Sequence, residues 1–497
     1  MASVAIESSC HGDLISGCSQ RDMGKVLSQI RGQRIAAFVA LAMALGGCAA
    51  DREPHGRTGS VVDEVARRAI GEGKVVGLVV VVARDAEVVF ERGYGRADVQ
   101  TDEPMASEAV LDYFSIGKHA TAAILLRLAE RGELNLDAPA RLYLPEADFE
   151  GYDVTTRQLL SHTSGLWEAE RDENELPASY RVPPPDGAIL AWANQGERLA
   201  APGETWMYSG GGFLFAGEIA ERLTGRTFEQ LIDEELAGPL GLQNFMGCAD
   251  VNRDRASAYF VEAGETHRIA EVDPEWFGGA GTVCGTAGDL MRWWLALRSG
   301  RVVNASSLDQ IFSPTRLRRN GIEADFGYGL GVRLGGYAGH RKIGHTGSGS
   351  GGTSVLAEYP DAGLAILVIT NTAGDGARSA YELEAEIAST LLGADTGSVA
   401  DARISDDLLR AAPGVYRSPL GRLCVSARGA ELWRSFGNTA PERLRHVGAG
   451  RFVAADDAHG AGVEYFLGIG SGSAQWFAYD RHGFPYDLAV RVDDDCS

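Results

Sequence analysis

Ser115 and Lys118 stand three residues apart in Phe114-Ser115-Ile116-Gly117-Lys118. On a helix starting at Ser115, positions i and i+3 share a face, so the lysine amine can approach the serine hydroxyl. A serine hydroxyl is a poor nucleophile until a neighbour takes its proton. A lysine does this where desolvation or a second cation favours its neutral form. Alone, Ser-x-x-Lys is a weak motif, and its ordinary alternative is a helix N-cap followed by a solvated lysine. Two further stretches add to it. Tyr208 lies in the turn-rich run Gly203-Glu204-Thr205-Trp206-Met207-Tyr208-Ser209-Gly210, where a phenol can relay a proton to a leaving group. Gly344-His345-Thr346-Gly347-Ser348 offers a strand edge against which a substrate can lie, with a backbone N–H for an oxyanion hole. A phosphate loop would lead into a helix, whereas this run leads into the strand-like Thr353-Ser354-Val355-Leu356.

The elements around these residues follow from periodicity. A helix is expected over 61–70, then strands over 75–83 and 87–93 joined by a turn at 84–86. From Ser115 to Arg131 the pattern is helical: Ala120, Ala123, Ile124 and Leu128 line one face, and Gly132 suits a C-cap. Further helices are expected at 155–161, 211–224, 227–236 and 286–298, and a strand pair at 352–359 and 363–370 turning at Pro360-Asp361-Ala362-Gly363. Beyond about residue 395 no helical period is visible. Short strands at 423–427, 431–436, 463–469, 475–479 and 486–492 alternate with Gly and Asp turns, as in a small β-barrel or sandwich.

The 497 residues exceed one ordinary domain. A net charge of −22 repels phosphate backbones, so no nucleic acid partner is expected. Lys25, Arg31 and Arg34 precede an apolar run from Ile35 to Leu45, too short for a bilayer span, which needs about 20 residues, but the length of a signal-peptide core. It ends in Leu45-Gly46-Gly47-Cys48, which resembles a bacterial lipobox and makes Cys48 the expected lipid attachment site. Residues 1–22 lack this layout, which marks Met23 as an alternative start. Export would place the chain in the cell envelope, anchored to a membrane. Cys248, Cys284, Cys424 and Cys496 remain beyond the signal. Of their three possible pairings, 248–284 and 424–496 are expected, because each stays within one proposed domain. No Cys-x-x-Cys or His-Glu-x-x-His spacing occurs, so no metal is expected.

Taken together, these stretches resemble the serine β-lactamase and penicillin-binding protein superfamily, closest to its class C-like, esterase-like β-lactamase-related hydrolases. The handful of motifs is joined by Val76-Gly77-Leu78, Arg92-Gly93-Tyr94-Gly95, Leu159-Leu160-Ser161-His162-Thr163-Ser164-Gly165-Leu166, Thr286-Ala287-Gly288-Asp289-Leu290 and Tyr328-Gly329-Leu330-Gly331. The resemblance implies an α/β (α+β) fold: an antiparallel sheet flanked by helices, beside an all-helical lobe. The tail opening Pro413-Gly414-Val415-Tyr416 is similar to a small all-β, lipocalin-like domain. The resulting layout is a signal at 1–48, a tether at 49–60, a hydrolase domain at 61–395, a linker at 396–410 and a β-domain at 411–497. The resemblance makes Ser115 the acylated nucleophile, Lys118 its base and Tyr208 the second proton shuttle. It places the N–H groups of Ser115 and Ser348 in the oxyanion hole, and His345, Thr346 and Gly347 beside the substrate. It requires no cofactor. Two departures point toward esters or small amides: Gly210 stands where many β-lactamases carry Asn, and His345 where they carry Lys. A β-lactamase or D,D-peptidase is the second reading, and a catalytically silent envelope-binding protein the third. Oligomeric state is not legible.

Overall fold

The computed structural model describes residues 56–167, 178–250, 255–270, 272–349, 351–394, 401–454, 462–469, 472–493 and 496. The expected signal, Cys48 and most of the tether lie outside these residues. Seven strands form the central antiparallel sheet: β1 (Gly77–Arg84), β2 (Glu87–Asp98), β3 (Glu103–Pro104), β4 (Arg333–Tyr337), β5 (His340–Gly349), β6 (Gly352–Tyr359) and β7 (Leu364–Thr370), in the order β4-β5-β6-β7-β1-β2-β3. The run from Leu78 to Ala83 is buried throughout because helices cover both faces of the sheet. Leu78, Val80 and Val82 pack with Val62, Val65 and Ala69 of α1 (Arg57–Gly71) and with Leu383 and Ile387 of a late helix, Ala380–Leu392. Val79, Val81 and Ala83 face the larger core on the opposite side.

That core holds the helical lobe. It includes α2 (Lys118–Glu130), α3 (Gly210–Thr224) and α4 (Ala287–Arg298). Most expected elements are present within a residue or two. The expected helix at 227–236 differs: α-helix gives way to a π-helical segment, Ile232–Ala237, and Gly238 N–H bonds back to the Asp233 carbonyl. Pro239 has no N–H for the Glu235 carbonyl, so the ladder widens there. The loop at Pro360–Ala362 turns through Gly363 in the left-handed region.

The C-terminal part is a closed eight-stranded barrel. Its strands are β8 (Gly414–Ser418), β9 (Gly421–Arg428), β10 (Glu431–Phe436), β11 (Glu442–Gly448), β12 (Arg451–Ala454), β13 (Gly462–Leu467), β14 (Trp476–Arg481) and β15 (Phe484–Asp493). Each pairs with the next, and β8 closes on β15. Leu423, Val425, Leu432, Phe452, Phe466 and Phe477 fill the interior. A six-residue helix, Asp406–Ala411, inserts Leu408 into this core. It lies where no helix was expected, since six residues are too few to display a period. The described residues from Thr58 onward pack as one unit, and Trp476, Ala478 and Leu488 on the barrel's outer face share a core with Trp206, Leu317, Phe326 and Tyr328.

Both expected disulfides are present, Cys248–Cys284 and Cys424–Cys496. Among the described residues no helix is long and apolar enough to cross a membrane.

Candidate active site

The serine turn is pinned before it is armed. Tyr113 is fully buried, donates its hydroxyl to the Thr286 carbonyl at 2.7 Å and accepts from Ser354 Oγ at its own carbonyl, 2.9 Å. Phe114 N–H donates to Asp112 Oδ1, 2.6 Å, and Phe114 adopts φ +50°, an uncommon value for a bulky residue. Such backbone strain costs about 1–3 kcal/mol and persists where the surroundings over-determine it. Phe114–Gly117 is then a turn of 3₁₀ helix leading into α2. In a 3₁₀ turn side chains at i and i+3 eclipse, which sets Lys118 directly against Ser115.

Lys118 Nζ lies 2.9 Å from Ser115 Oγ and donates to the Ala280 carbonyl at 2.6 Å. The lysine is 2% exposed, and its amine faces the rings of Tyr208 at 5.1 Å and Phe213 at 5.4 Å. Ala280 belongs to the short helical turn Gly278–Gly281, whose Gly279 carbonyl accepts from Thr121 Oγ1 at 2.6 Å. The turn must be small: a Cβ on Gly279 would sit 2.6 Å from the Phe213 carbonyl. The glycine cluster 278–281 therefore lets two helices close on the lysine. Just before it, Trp276 and Phe277 pack with Tyr180 and Trp192 as an aromatic group.

Tyr208 precedes α3, whose N-cap Ser209 accepts from Gly212 N–H. Its ring lies 4.4 Å from that of His162, tilted by 40°. Ser348 lies on β5 opposite Thr353. The strand runs directly against the serine turn, since a Cβ on Gly347 would meet Phe114 Cβ and the Tyr113 carbonyl, each at 2.8 Å. Ser115, Lys118, Tyr208 and the Gly347–Ser348 strand thus converge on one site.

His345 is placed differently from the expectation. It was expected beside the substrate, but it is fully buried with both ring nitrogens engaged. Ser209 N–H donates to His162 Nδ1 at 3.1 Å, which leaves the proton of that neutral ring on Nε2. Nε2–H then donates to Tyr328 Oη at 3.0 Å, the Tyr328 hydroxyl to His345 Nε2 at 3.0 Å, and His345 Nδ1–H to the Thr346 carbonyl. Burial holds both imidazoles well below their usual pKa; the nearby Lys118 and Arg333 charges push the same way. Tyr328 is raised well above the usual phenol range, chiefly by burial. The chain ties the Tyr208 loop to the β5 strand. Thr346, half-buried, is the next residue along.

Sequence reasoning quoted His162 and Tyr328 only as parts of motifs and missed Arg333. Arg333, at the start of β4 opposite Gly344, is 5% exposed and lies 5.1 Å from the Tyr208 ring. His162 sits among the hydroxyl residues Ser161, Thr163 and Ser164, which gives no sign of its role, whereas Arg333 interrupts the otherwise apolar run from Leu330 to Gly336, a signal that could have found it.

Comparison with known proteins accords with this arrangement. The family described as Beta-lactamase matches residues 62–389. Esterase EstB of Burkholderia gladioli is 30% identical across 63% of this chain and 91% of its own length. Penicillin-binding protein 4* of Bacillus subtilis (strain 168) is 24% identical across 62% of this chain and 70% of its own. The solved structure of the octameric penicillin-binding protein homologue from Pyrococcus abyssi shares the fold over 87% of this chain and 98% of its own, with a TM-score of 0.59 and 20% identity. A match across two-thirds of the chain, over a serine turn, a buried lysine and an antiparallel sheet arranged in this way, shows that the chain belongs to the beta-lactamase family and is a serine hydrolase.

Proposed function

We propose that the chain hydrolyses small esters, and secondarily small amides, through an acyl-enzyme on Ser115. The observation that carries this reading is the 2.9 Å contact of a buried Lys118 amine with Ser115 Oγ, its other bond going to a carbonyl and not to a carboxylate. As Ser115 Oγ attacks the substrate carbonyl, Lys118 takes its proton. The N–H groups of Ser115 and Ser348 receive the oxyanion. Tyr208 delivers its proton to the leaving group and is reloaded from Lys118; Lys118 then takes a proton from the attacking water and returns it to Ser115 Oγ as the acid leaves. The preference for esters is supported by Gly210 and by the burial of His345. Neither offers the amide or the cation that would grip an acylamino side chain or a substrate carboxylate. Relatives described as a penicillin-binding protein and as a D-aminopeptidase keep β-lactams and D-peptides as the second substrate class.

The test is turnover of a panel: alkyl esters, a D-amino acid amide and a chromogenic cephalosporin, with the Ser115→Ala variant as control. Ester turnover that exceeds the others and vanishes in the folded variant is expected. Unchanged ester hydrolysis in Ser115→Ala would overturn the mechanism. Export and anchoring through a lipid on Cys48 are part of the same proposal and are supported by the sequence of residues 25–48. A Cys48→Ser chain is expected in the soluble fraction, and its persistence in membranes would contradict the anchor.

A further inference from the structure

Behind Tyr208 lies a cation that the fold does not need for an ion pair. The Arg333 guanidinium faces the rings of Tyr208, Trp206 and Tyr328 at 5.1, 5.8 and 6.0 Å. Its Nη1–H donates to the Pro485 carbonyl, at the start of the barrel strand β15. Its Nε is buried with no hydrogen-bond partner, and among the described residues no carboxylate stands within ion-pair distance of it. Burying a guanidinium in this way is unfavourable. An apolar side chain of similar length would fill the same aromatic box, so packing alone does not explain the charge.

The charge has a use in the reaction. Tyr208 sits between two cations, Lys118 Nζ and the Arg333 guanidinium, each 5.1 Å from its ring. His162 and His345, which complete the surroundings, are held neutral. From the barrel, the buried Asp480 is the carboxyl whose charge interacts with Arg333, beyond ion-pair distance; it also feels Arg451 and accepts from Tyr465 Oη at 3.0 Å. When Tyr208 gives its proton to a leaving group, negative charge develops on its oxygen, and a fixed cation behind the ring stabilises it.

The barrel holds this arrangement in place. Besides the Pro485 carbonyl, Trp476 of β14 donates its indole N–H to the Glu204 carbonyl at 3.0 Å, in the loop that carries Tyr208. We propose that Arg333 is a positioning residue for acyl transfer, acting through Tyr208, and that the C-terminal barrel serves catalysis by supplying the carbonyl that fixes it. This inference rests on the reading of Tyr208 as proton shuttle.

The consequence is a dependence on the leaving group. A p-nitrophenolate departs without a proton, whereas an alkoxide needs one. In the full chain, Arg333→Met and Arg333→Gln are expected to lower kcat for an ethyl ester about 100-fold, with KM little changed, while p-nitrophenyl ester turnover stays within about 3-fold. Arg333→Lys, which keeps the charge, is expected to recover most of the ethyl ester rate. Gln keeps a donor for Pro485, so it carries the comparison if the Met variant fails to fold. Equal losses on both esters, no loss on the ethyl ester, or a Lys variant no better than Gln would each overturn the proposal. Fluorophosphonate labelling of Ser115 separates the two claims. Variants that label normally yet keep ethyl ester turnover sink only the Arg333 role, whereas a wild-type chain that does not label sinks the hydrolase reading itself.

Discussion

At the scale of single residues, the site is a set of buried polar groups in which burial holds His162 and His345 neutral while Arg333 keeps its charge without an ion-pair partner among the described residues. Ser115 and Lys118 were legible because their weak three-residue spacing is joined by the Tyr208 and Gly344–Ser348 stretches farther along the chain. His345 was legible as a position but not in its role, because strand alternation does not say which ring nitrogen finds which partner. His119, next to Lys118, shows how burial sets protonation. It is fully buried, its Nδ1 accepts from Trp293 Nε1–H at 2.9 Å, and burial pushes its pKa down to about 3. An unfolded histidine binds its proton near pH 6.5. Below that the unfolded state holds a proton that the folded state refuses, so stability falls as the pH drops from about 6.5 toward about 3. Asn at 119 offers an acceptor where Nδ1 now sits and does not titrate. His119→Asn is expected to make the loss of stability shallower by about 1.4 kcal/mol per pH unit in that window, measured by urea unfolding at pH 6 and pH 5. An unchanged difference between the two pH values would contradict the assignment.

Elements were read well where a period is long and less well where it is short or broken. Gly210–Thr224 and Ala287–Arg298 announce themselves through apolar spacing and capping residues Ser209 and Thr286. The π-helical Ile232–Ala237 does not, since one missing donor at Pro239 leaves the apolar spacing nearly unchanged. The barrel strands Glu442–Gly448 and Arg451–Ala454 also escaped notice, because the first has only Leu444 and the polar His446 at its buried positions and the second is four residues long, too short to show a period. One tie between elements was beyond sequence reasoning. Lys342 on β5 and Glu384 on the helix Ala380–Leu392 form an ion pair of 2.6 Å with both side chains fully buried. Tyr359 donates its hydroxyl to Glu384 Oε1, and Lys342 also donates to the His482 carbonyl of the β14–β15 turn. Glu384→Gln leaves the ammonium without its counter-charge and is expected to cost about 3–5 kcal/mol in urea unfolding. The double change Lys342→Met with Glu384→Leu is expected to recover most of it. A single variant within about 1 kcal/mol of wild type would show that the pair carries no such weight.

At the scale of the whole molecule, two legible parts produce an illegible interface. The antiparallel sheet with its helical lobe and the β-rich tail were each visible as patterns of alternation and period. Their meeting was not, because Trp476, Ala478 and Leu488 read as ordinary outward residues of barrel strands until Trp206, Phe326 and Tyr328 are seen to cover them. That interface backs the tyrosine wall of the site, so the chain's chemistry depends on residues some 270 positions apart, as Glu204 and Trp476 show.

The decisive property of the site is that Ser115 is a nucleophile armed by Lys118. Brief exposure of the folded chain to a fluorophosphonate probe, followed by intact mass and peptide mapping, tests this most directly. One adduct on Ser115, absent in Ser115→Ala and strongly slowed in Lys118→Ala, is the expected result. A folded wild-type chain that takes up no probe, or labels elsewhere, would contradict it.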